Sequence, residues 1–452
     1  MRFPFALTLK IAAYIIGKKI RGVEKFATVL QLEPLHTCNL TCTGCGRIRE
    51  YSTSIKDVMP LADCLDAAAE CDAPMISICG GEPLIYPHIE PLVAGLLAQR
   101  RIVYLCTNAT FMRRKMRDWL RDCGLRIADC GLPAAKRERE RRDLEGKLQQ
   151  LVSEELMTPA QAEEIREVAN GTAPKQSAIR NPQSAIAPSR WFYWNVHLDG
   201  LERTHDLIVE REGVFKEAVL AMRMAKLLGY QVATNTTVYK ETDAREIEDM
   251  FTFLGSLGVD GHTISPGYEY DAAKRDMVQR LGVQPETFFL TRAATRQKFA
   301  KAVEWGKKFP IFGTPVYLEF LAGQRDLTCS AWAIPTRNVR GWKGPCYLMT
   351  DGHYPTYSAL LERTDWSKLG VVDGQARDPR CENCMVHCGY EPTASLGLQA
   401  QPGDLWKTIA FNFGARPVAA AGEEVEAFNG VSAGKGHATG KPAAMSNEVM
   451  SE

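Results

Sequence analysis

The sequence has almost no net charge: 55 basic residues face 54 acidic ones, leaving +1. Without a basic surplus there is no electrostatic case for a nucleic-acid partner. Long apolar runs are missing as well. No stretch reaches the roughly 20 apolar residues that a helix needs to cross a bilayer. Phe3 to Ile16 is apolar, but Lys10 interrupts it and no small-residue cleavage site follows, so it does not read as a secretory signal. What remains is ordinary for a globular chain: 45% hydrophobic and 24% charged over 452 residues, enough for two or three domains.

Cysteine, by contrast, is plentiful. The 14 cysteines concentrate in two tight runs, Cys38-x3-Cys42-x2-Cys45 and Cys381-x2-Cys384-x3-Cys388. Disulfide scaffolds are usually short secreted chains, whereas thiols this close suit a metal or cluster in a reducing cytosol. Cys64, Cys71, Cys79, Cys123 and Cys130 follow no such spacing and read as structural.

Residues 1–27 read as an amphipathic helix. Phe5, Leu9, Ala12, Ala13 and Ile16 form its apolar face, with Lys10, Lys18, Lys19, Arg21 and Lys25 adding positive charge. Two uses are open: packing on the core, or lying on an anionic membrane surface. From residue 28 the chain alternates β-rich runs (28–33, 74–79, 102–106, 192–198, 231–237, 262–265) with helical periodicity at 61–70, 89–98, 214–228 and 244–257. Such alternation predicts an α/β fold, a parallel sheet with helices outside. Six repeats suggest a partial (β/α)6 barrel over 28–270. A small cysteine-containing C-terminal domain is expected over 271–416. Segment 133–189 interrupts the barrel between its third and fourth strands. It is first highly charged and then low in complexity, with Gln176-Ser-Ala-Ile repeated at Gln183. It predicts a helical excursion plus a disordered linker that carries no chemistry. Residues 417–452, rich in Ala, Gly and Glu, predict a disordered tail.

Cys38, Cys42 and Cys45 follow the first strand directly. Four-iron clusters are normally held by four thiolates, so three leave one iron open for chemistry. A zinc knuckle, the bland reading, lacks a fourth Cys or His at a usual spacing; His36 is the only close candidate. The C-x3-C-x2-C spacing is similar to the defining motif of the radical S-adenosylmethionine superfamily. That resemblance implies a [4Fe-4S] cluster on these three cysteines, whose open iron chelates S-adenosyl-L-methionine. Gly80-Gly81-Glu82-Pro83 ends the second strand and resembles the family's GGE motif, which meets the cofactor's methionine. Alternation sends Asn195, His197 and Asp199 of the fourth strand to one face, which by resemblance contacts the ribose and the methionine carboxylate. Asn235 and Thr237, and Ser265 with Pro266 and Gly267, are weaker cofactor candidates on the fifth and sixth strands.

A narrower resemblance rests on the runs LEPLHTCNLTCTGCG, APMISICGGEPLIYP, VYLCTNA, VHLDGLERTHD, GVDGHTISPGYEY, FLAGQ and CENCMVHCGYEPTA. They look like the adenosylhopane synthases of hopanoid biosynthesis. This implies addition of a 5′-deoxyadenosyl radical to the alkene of hopene, with a low-potential donor such as flavodoxin or ferredoxin. The protein would be cytoplasmic, in peripheral contact with the inner face of the membrane. Cys106, in VYLCTNA, is the expected catalytic thiol that returns a hydrogen atom to the product radical. Thr314–Gly323 and Trp332 are candidates to line an apolar pocket, against the commoner reading of plain core. A second metal site is drawn from Cys346, Cys381, Cys384 and Cys388, with Cys329 or His387 as alternative ligands and with cluster, zinc or no metal left open. Two rival functions stand beside this one: a peptide-modifying radical enzyme with an auxiliary cluster, and a non-catalytic iron–sulfur or zinc protein.

Overall fold

A computed structural model of the chain describes residues 4–129, 134–170 and 186–414. The Gln176/Gln183 repeat and the 417–452 tail lie outside the described residues.

Six strands form the heart of the molecule: β1 (Val29–Glu33), β2 (Met75–Ile78), β3 (Ile102–Thr107), β4 (Phe192–His197), β5 (Gln231–Val238) and β6 (Gly261–Pro266). They pair in parallel in chain order. Each lies within a residue or so of its expected place. The sheet then continues past β1 through three strands that the periodicity does not reveal. These are β7 (Thr336–Asn338), parallel to β1, followed by antiparallel β8 (Gly341–Pro345) and β9 (Thr350–Tyr354). The sheet therefore has nine strands in the order β6-β5-β4-β3-β2-β1-β7-β8-β9.

Ten helices bear on the core and on the site. They are α1 (Phe5–Ile20), α2 (Leu61–Cys71), α3 (Ile89–Ala98), α4 (Met112–Asp129), α5 (Ala134–Ser153), α6 (Pro159–Asn170), α7 (Val214–Leu227), α8 (Ala244–Ser256), α9 (His387–Ser395) and α10 (Asp404–Phe413). Start and stop signals are local. Pro60 precedes α2, and Asp72 ends it in the left-handed region at φ 53°. The Asp243 side chain accepts from the Arg245 N–H at the start of α8. One face of the sheet packs against helices through fully buried Ile76, Ile78, Leu105 and Trp194, which meet Leu92 of α3 and Met222 of α7 in one core.

The inserted segment departs from expectation in its described part. Leu144, Leu148 and Leu151 of α5 and Ala162 and Ile165 of α6 are buried in that same core. Trp119 of α4 stacks on Trp194 of β4 at 5.1 Å, and Arg166 of α6 ties back to Glu145 of α5 at 2.7 Å. The charged run that suggested a solvated excursion is one face of an amphipathic helix.

α1 packs on the core at one position and leaves part of its apolar face exposed. Leu7 is fully buried against Ile102, Tyr104 and Tyr193, at the starts of β3 and β4. Leu9, Ile16 and Ile20 remain exposed. Part of its basic flank is occupied within the fold: Lys18 pairs with Asp72 at 3.2 Å and Lys19 Nζ donates to the Leu396 carbonyl. Among the described residues no helix is long and apolar enough to cross a membrane.

Candidate functional site

The second face of the sheet encloses a cavity of about 960 Å³. Strand alternation fixes its wall. Gln31, Ser77, Tyr104, Cys106, Asn195 and His197 all point inward, followed by Asn235, Thr237, Thr263 and Ser265 on the last two strands. The register aligns them across the sheet: Gln31 beside Ser77, Cys106 beside Asn195, His197 beside Asn235 and Thr237 beside Ser265.

At the C-terminal end of β1 the chain leaves the sheet as a loop that brings Cys38, Cys42 and Cys45 to the cavity. Gly80 and Gly81 make this possible. The Gly81 N–H donates to the Leu35 carbonyl and the Glu82 N–H to the Thr37 carbonyl, at 3.1 and 2.9 Å. A Cβ at residue 81 would sit 2.0 Å from the Thr37 oxygen, and Gly80 has φ 108°, so side chains are barred at both positions. Glu82 then locks β2 to β3. Its carboxylate accepts from the Leu84 N–H, the Thr107 hydroxyl and the Asn108 N–H at 2.8–3.0 Å. Burial pushes its carboxyl up to about 7 against those three hydrogen bonds. Pro83 begins the turn after it and is buried outside the cavity lining.

The three thiols fit a shared cluster. Burial pushes Cys38 up to about 12, although its sulfur accepts the N–H groups of Leu40 and Asn39. Cys42 is pushed up by burial and then by the charges of Cys45 and Cys38. The charges of the three sulfurs act on one another, so they lie close enough to share one cluster, whose iron would hold them as thiolates. His36 does not join them. Its ring stacks on Tyr51 at 3.9 Å, and Nε2 faces Glu33 at 3.4 Å, which removes the knuckle reading's only fourth ligand.

Across the cavity, Asp199 is fully buried and holds the ends of β4 and β5 together. It accepts from the Thr237 N–H at 2.8 Å and pairs with His197 Nε2 at 2.7 Å. Desolvation works against the His197 imidazolium, but the Asp199 carboxylate outweighs it and raises the His197 pKa. Both residues, with Asn195, line the cavity, and the Asp199 charge reaches Cys42 of the cysteine loop. Cys106 lines it too: Ser77 Oγ is 3.2 Å from its sulfur, and Asn195 Nδ2 donates to it at 3.3 Å. Burial raises its pKa, keeping the thiol protonated.

Of the pocket candidates on 314–323, only Thr314 lines the cavity. Val316, Leu318 and Phe320 belong to the core, and Trp332 packs on Phe26 and Leu396. Sequence reasoning missed what lines the rest. Thr8, Ile11, Ala12 and Ile15 of α1 form one side, Ile311 and Phe312 another, and Leu405, Ile409 and Phe413 of α10 a third. Phe5 and Phe413 meet edge to face at 5.7 Å, joining α1 to α10. The signal available was an apolar stripe on 404–413. Cys79, expected to be structural, also reaches the cavity, whereas Cys64 and Cys71 are core. The side chains of Cys123 and Cys130 lie outside the described residues.

The other cysteine group converges separately. Cys346, Cys381, Cys384 and Cys388 line one small apolar hollow, together with Cys329. His387 faces the main cavity instead. No three His, Cys, Asp or Glu side chains among the described residues close around a single-ion position.

Residues 32–152 match the model of the radical SAM superfamily, and residues 262–408 match a domain of unknown function (DUF3463). Similar solved structures include SuiB of Streptococcus suis bound to S-adenosylmethionine (13% identity, TM-score 0.43, covering 72% of this chain and 61% of that one). SuiB bound to its precursor peptide SuiA gives 12% and 0.47, covering 88% and 78%. Native anSMEcpe with bound AdoMet and Cp18Cys peptide gives 13% and 0.44, covering 85% and 96%. The chain thus spans about 61% of the first of these, and likenesses this distant carry no argument about substrate. Nothing among curated proteins matches. The matches do not extend to the adenosylhopane synthases. The segment that matches, 32–152, carries the three cysteines, the Gly80–Glu82 turn and Cys106. That segment is similar to the radical SAM superfamily of enzymes, a match that implies a [4Fe-4S] cluster and S-adenosylmethionine as cofactors.

Proposed function

We propose that the enzyme adds the 5′-deoxyadenosyl group to the alkene of an apolar polycyclic hydrocarbon, hopene by the resemblance of its sequence runs. The observation that supports this reading most is the course of the cavity. It is lined by the cysteine loop and Cys106 and also by residues of α1 and α10 that are exposed to the outside and so form its mouth. Leu9, Ile16, Leu405, Ile409 and Phe413 line that mouth while staying exposed to the outside. A volume of about 960 Å³ with mostly apolar walls suits a large hydrocarbon. Beside the mouth, Ile20 and Trp406 are 80% and 73% exposed, which suits delivery of the substrate from a membrane surface.

Cys38, Cys42 and Cys45 would hold the cluster, and Gly80–Glu82, Asn195 and Asp199 would face S-adenosylmethionine. When bound, these groups supply the 5′-deoxyadenosyl radical; the rest falls to the protein. The apolar walls hold the alkene in reach and exclude water. Bond formation at the terminal alkene carbon leaves a substrate carbon radical. The Cys106 S–H, positioned by Ser77 and Asn195, gives it a hydrogen atom. The sulfur radical that remains takes one electron from a low-potential donor of the flavodoxin or ferredoxin class, and a proton from solvent.

Modification of a peptide is the second reading: SuiB and anSMEcpe, whose folds are distantly similar, were solved with bound peptides. Against it, the mouth is mainly aliphatic and aromatic, with Thr8, Thr408 and Asn412 as few polar partners for a peptide's backbone N–H and C=O groups. The deciding experiment is anaerobic turnover of the reconstituted enzyme with reductant, S-adenosylmethionine and hopene. An adenosyl–hydrocarbon adduct is expected. Release of 5′-deoxyadenosine with no adduct would overturn the proposal.

A further inference from the structure

The hollow in the C-terminal part is built from more thiols than a four-iron cluster has corners. Cys329, Cys346, Cys381, Cys384 and Cys388 come from three separate stretches of chain and all line it. Cys329 reaches the hollow only because two neighbours lack side chains. A Cβ at residue 389 would sit 2.8 Å from its sulfur, and one at residue 370 would sit 2.8 Å from its own Cβ. Gly370 also has φ 82°, where a side chain is strained.

We propose that this cage holds a second [4Fe-4S] cluster, distinct from the one on Cys38, Cys42 and Cys45. Three observations support it together. Backbone N–H groups are aimed at the sulfurs: Leu348 and Met349 at Cys346, Gly370 at Cys381 and Val386 at Cys384. Amide donors of this kind stabilise thiolates and tune a cluster. The core thiol of Cys71 has one such donor, from Ala73, whereas Cys346 has two. Second, the thiols surround a space instead of closing on a single point, which fits a cube better than one zinc ion. Third, positive charge is at hand, since Arg47 and Lys343 both act on Cys346.

Counting ligands sets the chemistry. The catalytic loop offers three thiols and leaves an iron open; this cage offers enough to ligate all four irons. Its cluster therefore has no position for S-adenosylmethionine and serves structure or electron exchange. The two sites are joined through Arg47, two residues after Cys45. Its guanidinium lies 3.9 Å from the centre of the Tyr347 ring and donates to the Tyr347 carbonyl. Tyr347 follows Cys346 and lines both the hollow and the main cavity.

The test uses the full chain, reconstituted anaerobically with iron and sulfide. Wild type is expected to hold about eight irons and the C38A/C42A/C45A variant about four, with a matching loss of sulfide. In that variant the reduced cluster's paramagnetic resonance spectrum should not change when S-adenosylmethionine is added. The C381A/C384A/C388A variant should behave conversely, keeping a spectrum that responds to S-adenosylmethionine. If this last variant does not fold, the wild-type iron content and the C38A/C42A/C45A variant decide the matter alone. Zinc in place of iron, or no iron at all, in C38A/C42A/C45A would overturn the proposal.

Discussion

Replacing Leu148 by alanine tests whether the inserted segment belongs to the core. Leu148 is 0% exposed and sits on α5, in the stretch that composition alone would assign to solvent. The substitution removes three buried carbons, worth about 2.4 kcal/mol at ~0.8 kcal/mol each. α5 is held by α6 and by the sheet-packed α4, so the space cannot fully collapse, and the cavity brings the total to about 3–4 kcal/mol. Equilibrium urea unfolding, followed by intrinsic fluorescence, reports it. Trp119 and Trp194 stack in the same core, so their signal should move with the main transition. Leu151→Ala should cost a similar amount, and the double variant less than the sum, because the two residues share neighbours. A loss below about 1 kcal/mol, or an early transition that leaves the tryptophan signal untouched, would refute the reasoning.

Three further outcomes are expected from the site and its surroundings. Cys106→Ala should still cleave S-adenosylmethionine but yield less reduced adduct, or adduct of mixed stereochemistry, as read by chromatography and NMR; unchanged product would remove Cys106 from the chemistry. Burial works against the Glu33 carboxylate, yet Arg47 beside it at 3.3 Å, with His36 and Lys343, holds its pKa down to about 2 from 4.5. The folded-state pKa is depressed, so its contribution to stability is complete above about 4.5 and is lost as pH falls toward about 2. The stability gap between wild type and Glu33→Gln should shrink over that window in denaturant titrations, and a gap that stays constant would contradict the ion pair. Trp406→Glu should weaken sedimentation with vesicles containing anionic lipid while leaving cofactor cleavage intact; unchanged binding would place the membrane contact elsewhere.

The six parallel strands and the chemistry at their C-terminal ends were legible because both are local. Apolar runs mark β1–β6, and strand alternation alone puts Asn195, His197 and Asp199 on one face. The rest depended on long-range packing. β7 is three residues long and becomes a strand only by pairing with β1, some 300 residues earlier. The arginines and glutamates of α5 hid leucines at helical spacing, so its charge was read and its stripe was not. Cys329 stands far from the other cysteines in sequence and joins them only through the space left by Gly370 and Gly389. Glu82 lines the cavity, and its carboxylate also ties β2 to β3, a role that its motif does not reveal.

On the proposed function, a carbon–carbon bond to the adenosyl group forms in the cavity. It is tested most directly by turnover with S-adenosylmethionine whose C5′ hydrogens are both deuterium, followed by mass spectrometry of the products. The account predicts that both deuterons are retained in an adenosyl–hydrocarbon adduct. Deuterium found instead in 5′-deoxyadenosine, with a further hydrogen taken from the substrate, would mean hydrogen abstraction rather than addition and would contradict the account.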